Sequence, residues 1–150
     1  MLYHIKHAIV PDSFCDEVIK QGEEKDLKKA EIQDGKKTSR SSDVSWLDEE
    51  KLGTSLTNLV VIANKESKWN FSLKEFEPSF TLCLNEDYEG GDFSFCTPHP
   101  VAEKTKIEKI EKPKKGTMIV FPSYTWHKVN KVTSGVRKTL VGWVVGQQWS

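Results

Sequence analysis

His127 and Arg137 stand ten residues apart in the run KPKKGTMIVFPSYTWHKVNKVTSGVRKTLVGW, residues 112–143. A neutral imidazole is a good ligand for iron or zinc. A guanidinium is a planar fork that meets a carboxylate through two hydrogen bonds. Side by side they make a poor structural core but a sensible site for a metal and an anion. Pro122-Ser123 ends an apolar strand, and His127 opens the next. A tight turn containing Gly135 reverses the chain, and Arg137 opens an antiparallel neighbour that also carries Trp143. Symmetric pairing about residues 133–135 would bring His127 and Arg137 together near one mouth of a barrel. Out of context each has a plainer reading. A lone histidine after a strand is usually surface or core, an arginine after a turn is solvated, and a strand tryptophan is packing.

These residues need a scaffold. At 150 residues the chain is read as a single domain, 1–150, large enough to bury a core without staples. Hydrophobic residues at 37% and charged residues at 29% are ordinary for a globular protein. Lys plus Arg equals Asp plus Glu at 22 each, so no net field favours nucleic acid or an anionic membrane, and neither is expected as a partner. The lysines of residues 104–115 are interleaved with glutamates, as in a solvated loop. No stretch approaches a membrane span and the start lacks a secretory pattern. Cys15, Cys83 and Cys96 form no close pair, which points to a reducing, cytoplasmic setting. Oligomeric state leaves no mark in the sequence.

A short strand is expected within residues 2–10, then a helix capped by Asp12 or Ser13 and running to about Glu24. Residues 39–46 (SRSSDVSW) read as extended. Asp48 caps a second helix in which Leu52, Leu56, Leu59 and Ala63 recur at helical spacing. The period then falls to two. Residues 79–85 (SFTLCLN) form a strand, 86–91 (EDYEGG) a turn and 92–96 (DFSFC) the returning strand of a hairpin. Short strands follow near 107–110, at 117–121, at 127–132 and at 137–145. Helices first and antiparallel strands after predict α+β, with helical support over 1–72 and a barrel or jelly-roll core over 73–150.

The run from residue 112 to 143 resembles the carboxy-terminal signature of the prolyl 4-hydroxylase-like branch of iron(II)/2-oxoglutarate-dependent dioxygenases, bacterial and phage-type hydroxylases included. The pattern falls on Gly116, Phe121-Pro122-Ser123, His127, Val129, Val132, Gly135, Arg137 and Trp143. The segment TLCLNEDYEGGDFSF, residues 81–95, is similar to that family's strand, Asp/Glu-x-x-Gly-Gly turn and strand; the segment around Arg40 matches more weakly. The resemblance implies a double-stranded β-helix (jelly roll) with the amino-terminal helices packed on one sheet. It implies iron(II), 2-oxoglutarate and dioxygen, and admits ascorbate. His127 would be a metal ligand and Arg137 the anchor for the far carboxylate, with Trp143, Thr81 and Cys83 lining the cosubstrate. Arg40 and Trp46 would line a groove for a protein or peptide substrate. The implied reaction hydroxylates a peptidyl side chain, prolyl by branch, while 2-oxoglutarate is decarboxylated to succinate.

One part of the pattern is missing. Such enzymes hold iron with two histidines and a carboxylate, the latter pair within a His-x-Asp or His-x-Glu triplet upstream of the Thr81 strand. Here the histidines are His4, His7, His99 and His127, and none begins such a triplet. The gap falls between Pro78 and Ser79. Either a segment belongs there that this sequence does not contain, or the metal loop is deleted. The second case leaves a metal-free jelly-roll module using the Arg137 pocket for a carboxylate or peptide. A third reading is a cupin-like barrel of unrelated function, since architecture alone does not fix activity.

Overall fold

The computed structural model describes residues 3–25, 28–29, 42–47, 49–69, 78–97 and 106–144. Two helices precede most of the strands: α1 (Asp12–Glu23) and α2 (Glu49–Glu66). Before and between them run β1 (His4–Lys6), β2 (Lys28–Lys29) and β3 (Asp43–Val44). Then follow β4 (Pro78–Cys83), β5 (Tyr88–Gly90), β6 (Phe93–Thr97), β7 (Lys106–Ile110), β8 (Met118–Pro122), β9 (Trp126–Val129), β10 (Val132–Gly135) and β11 (Thr139–Trp143). The class is α+β, and every described strand pair is antiparallel.

Four strands form a large sheet in the order β1-β8-β4-β11, and three form a smaller one in the order β7-β6-β9. Strand alternation divides the large sheet into two chemistries. Phe80, Leu82, Met118 and Val120 point to one face, where they pack with Cys15 and Val18 of α1 and Leu56, Val60 and Ala63 of α2. Each large apolar side chain buried there contributes roughly 1.5–3 kcal/mol. Leu52, Leu56, Leu59 and Ala63 do line α2's packed face, as their spacing predicts. α1 starts after extended Pro11 without any side-chain cap, so neither Asp12 nor Ser13 performs the expected capping. At the far end of α2, Glu66 pairs with Lys6, and with His4 at 3.1 Å, tying the helix to the sheet edge.

The other face of the large sheet carries Ile119 and Phe121, which pack against Phe93, Phe95 and Ile110 of the small sheet, with Tyr3 and Ile5 beside them. The two sheets thus meet face to face. Between them the chain crosses through the ribbon β5–β10, where the register shifts between Val132 and Ser134.

Two expected hairpins are absent. The strand at Thr81 pairs with β8 and β11, whereas Phe93 pairs with β7 and β9. Likewise β9 joins β6 and β11 joins β4, so the strand of His127 and the strand that follows Arg137 lie in different sheets, and Arg137 itself stands before β11 and in no strand. The physical reason is that β5 and β10 consume the intended turns. Gly90 and Gly135, at φ 72° and 73°, let these crossings pack closely. A Cβ on either would stand 2.4 Å from a backbone carbonyl oxygen, of Lys131 and Asp87 respectively. β4 also runs unbroken through Pro78 and Ser79, paired with Pro122 and Phe121.

Candidate functional site

His127 sits on β9 directly opposite Phe95, which is fully buried, so its side chain shares the face turned to the large sheet. Its ring stacks on Phe93 with centroids 5.5 Å apart and planes 7° from parallel, and it meets Phe121 at 4.6 Å. Nδ1 lies 2.7 Å from the carbonyl oxygen of Thr125. A carbonyl only accepts, so Nδ1 carries the proton and the Nε2 lone pair stays open. An imidazole fixed this way leaves Nε2 as an acceptor.

Arg137 lies in the segment between β10 and β11, its stem beside Gly91, and no contact joins it to His127 among the described residues. The segment that holds it is fastened by Asn85, two residues beyond the end of β4. Asn85 Nδ2 donates to the carbonyl of Val136 at 2.8 Å, and its Oδ1 accepts from the amide of Lys138 at 2.7 Å. Backbone on both sides of Arg137 is therefore held by one buried amide. The Leu84 N–H also donates to the carbonyl of Lys138 at 3.1 Å. Gly91, at φ 69°, gives the guanidinium stem room: a Cβ there would lie 3.0 Å from Arg137 Cδ. The Arg137 Nη1 lies 3.5 Å from the Thr139 hydroxyl, while its Nε is buried with no partner. A buried guanidinium N–H without an acceptor is costly, and a carboxylate would satisfy it.

Thr81 and Cys83 occupy the inward face of β4, in register with Ile119 and Thr139 respectively. Cys83 is 2% exposed, with Sγ 3.2 Å from the carbonyl oxygens of Asn85 and Pro113. Burial pushes its thiol up, and the pull of the Tyr88 hydrogen bond and the Arg137 charge does not reverse this. The thiol is thus neutral and engaged, not a nucleophile. Tyr88 is held up to about 12, chiefly by burial, with its neighbour Cys83 adding to the rise and Arg137 opposing it. Trp143 shares the inward face of β11, opposite Ser79, yet it is 55% exposed.

Trp46 is not gathered with these groups. Its carbonyl accepts from Lys25 Nζ at 2.8 Å, and its neighbour Leu47 packs in the helical cluster on the opposite face of the large sheet. Arg40 and His99 lie outside the described residues.

The sequence model of the 2OG-Fe(II) oxygenase superfamily matches residues 68–145, which contain every strand just described around His127 and Arg137. The chain belongs to that superfamily. Among similar proteins, a PKHD-type hydroxylase of Picosynechococcus sp. is 47% identical over 73 residues, covering 47% of this chain and 29% of the relative. A PKHD-type hydroxylase of Parvibaculum lavamentivorans is 40% identical over 68 residues, 44% of this chain and 28% of its own. One from Rippkaea orientalis is 44% identical over the same length and shares. The matched stretch thus spans less than a third of each relative.

The superfamily's two small partners fare differently against these side chains. The orphaned Arg137 Nε, beside the Thr139 hydroxyl, suits one end of 2-oxoglutarate. Iron(II) does not fit: His127 offers one nitrogen, and among the described residues no three of His, Cys, Asp or Glu come together to hold a metal. No described helix is long and apolar enough to cross a membrane.

Proposed function

We infer that this chain provides the cosubstrate-anchoring part of an iron(II)- and 2-oxoglutarate-dependent hydroxylase with a jelly-roll core, acting on a peptidyl side chain, prolyl before others. The single observation that carries this reading is the buried, unpartnered Nε of Arg137, placed within the family's matched region. Membership of an oxygenase superfamily and relatives named as hydroxylases support it.

In this reading Arg137 binds the far carboxylate of 2-oxoglutarate and fixes its orientation, and Asn85 fixes Arg137. Thr81, Cys83 and Trp143 line the cosubstrate. Phe93 and Phe121 hold the His127 ring and keep water from its inner side. A metal held by a full ligand set would supply the oxidising chemistry, and the residues named here supply position and exclusion. The cosubstrate half is tested by titrating 2-oxoglutarate into the chain and its Arg137→Ala variant: binding that survives the variant unchanged removes the anchor. The substrate half is tested with proline-containing peptides on the completed site, where one oxygen gained per succinate formed is the expected result. A metal-free binding module is favoured only by the lone His127, and the family match weighs against it.

A further inference from the structure

A recess lies at the opposite end of the large sheet from the strand that follows Arg137. Strand order puts β1 at one edge and β11 at the other, three strand spacings or about 14 Å apart. The recess opens between the end of β1 and the segment that leaves β7, and it encloses about 290 Å³. Ile5, Ile110 and Pro113 give it apolar walls. Part of that wall is tied down. The Lys112 ammonium donates to the carbonyls of Glu86 and Tyr88, each at 2.6 Å, and stands 4.6 Å from the centre of the Tyr88 ring. The Pro113 carbonyl accepts from Cys83 Sγ at 3.2 Å. The segment that lines the recess is therefore fixed rather than loose.

Thr117, one residue before β8, also lines the recess and is 1% exposed, and its Oγ1 is buried without a hydrogen-bond partner. A buried hydroxyl left unpaired is costly, and one polar atom at the inner end of a ligand would satisfy it. That atom must be uncharged. An ion among Ile5, Ile110 and Pro113 would lose its water with no opposite charge to meet it.

The mouth is different. Glu111 and Lys114 line it, both exposed, and neither forms a salt bridge among the described residues. A ligand that carries both an ammonium and a carboxylate meets the two together.

We propose that this recess is a ligand site for a free α-amino acid whose apolar side chain ends in a neutral hydrogen-bonding group. The side chain enters between Ile5 and Ile110 and reaches the Thr117 hydroxyl. The ammonium pairs with Glu111 and the carboxylate with Lys114. The volume stands at the small end of ligand clefts, enough for one such molecule. A residue inside a peptide fits less well, because it lacks the free ammonium and carboxylate that the mouth would pair. The site is independent of the hydroxylase reading.

L-Tyrosine is the probe, titrated into the whole 150-residue chain and followed by calorimetry and amide chemical shifts. Saturable one-to-one binding is expected, with shifts centred on His7, Ile110 and Thr117. L-Phenylalanine lacks the inner hydroxyl, tyramine the carboxylate and desaminotyrosine the ammonium. Each should bind about tenfold or more weakly than tyrosine. Thr117→Val keeps the shape and removes the hydroxyl, so it should erase the preference for tyrosine over phenylalanine and leave phenylalanine affinity unchanged. Excess 2-oxoglutarate should not displace tyrosine. Absence of saturable binding overturns the proposal, as does equal affinity for tyrosine and phenylalanine in the wild type. A Thr117→Val variant that still discriminates would place the inner hydroxyl elsewhere and overturn it too. Displacement by 2-oxoglutarate would assign the ligand to the Arg137 site and leave this recess without one.

Discussion

The His127 ring lies parallel to the Phe93 ring, 5.5 Å away, while its Nδ1 faces the Thr125 carbonyl at 2.7 Å. Together these contacts fix both the plane and the tautomer of the imidazole. Long-range nitrogen–proton NMR correlations should show the proton on Nδ1. A proton found on Nε2 would mean that the nitrogen is not prepared as a ligand. Phe93→Ala should release the ring and cost about 3–5 kcal/mol of stability as a core truncation.

Asn85 is expected to matter more than a loop asparagine would. It is 8% exposed and makes hydrogen bonds on both sides of Arg137. Asn85→Ala leaves the Val136 carbonyl and the Lys138 amide without this partner, a loss of about 1–3 kcal/mol in denaturant unfolding. If Asn85 positions Arg137, 2-oxoglutarate affinity falls as well, although Asn85 need not touch the ligand. Unchanged affinity in a folded variant would reduce Asn85 to a structural role.

Much of this was legible in the sequence, but unevenly. The period of two marked the strands at Thr81 and Phe93, and the helical spacing of Leu52, Leu56 and Ala63 marked the face of α2. Which strands pair was not legible, because pairing is set by contacts distant in sequence. The EDYEGG segment has the composition of a hairpin turn, yet β5 within it pairs with β10 and carries the chain from one sheet to the other. His127 and Arg137 stood out by residue type, but the hairpin that their spacing suggested does not form, since β9 joins β6 and β11 joins β4. The hold of Asn85 on Arg137 spans 53 residues to Lys138, and no local pattern reports it.

Gly91 is the narrow point beneath Arg137. A Cβ there would come within 3.0–3.1 Å of Arg137 Cδ, the Tyr88 ring and Val132, at a φ of 69° that side chains rarely adopt. Gly91→Ala should therefore destabilise by about 1–3 kcal/mol and weaken 2-oxoglutarate binding. Full affinity in a folded variant would show that the Arg137 stem has slack. Thermal denaturation and ligand titration of the same sample measure both effects.

Alkaline stability carries a signature of one half-buried and one buried phenol, Tyr3 and Tyr88. Tyr3 and Tyr88 are both raised from 10.0 to about 12 in the folded chain, chiefly by burial; a hydrogen bond to Glu108 adds for Tyr3. Between these values the unfolded chain loses protons that the folded chain keeps, so stability falls as pH rises from 10 towards 12. Below about pH 10 this contribution is fully present. Denaturant midpoints measured across that interval should decline, and Tyr88→Phe should flatten the decline. An unchanged slope in the variant would contradict a buried, neutral Tyr88.

The central claim is that Arg137 anchors the far carboxylate of 2-oxoglutarate, and the most direct measurement is ligand titration of the wild type beside Arg137→Lys. Lysine keeps the charge but loses the planar fork, so affinity should drop about ten- to a hundredfold, with chemical-shift changes centred on Thr139, Asn85 and Thr81. Equal affinity in the two proteins, or shifts confined to another surface, would contradict the account.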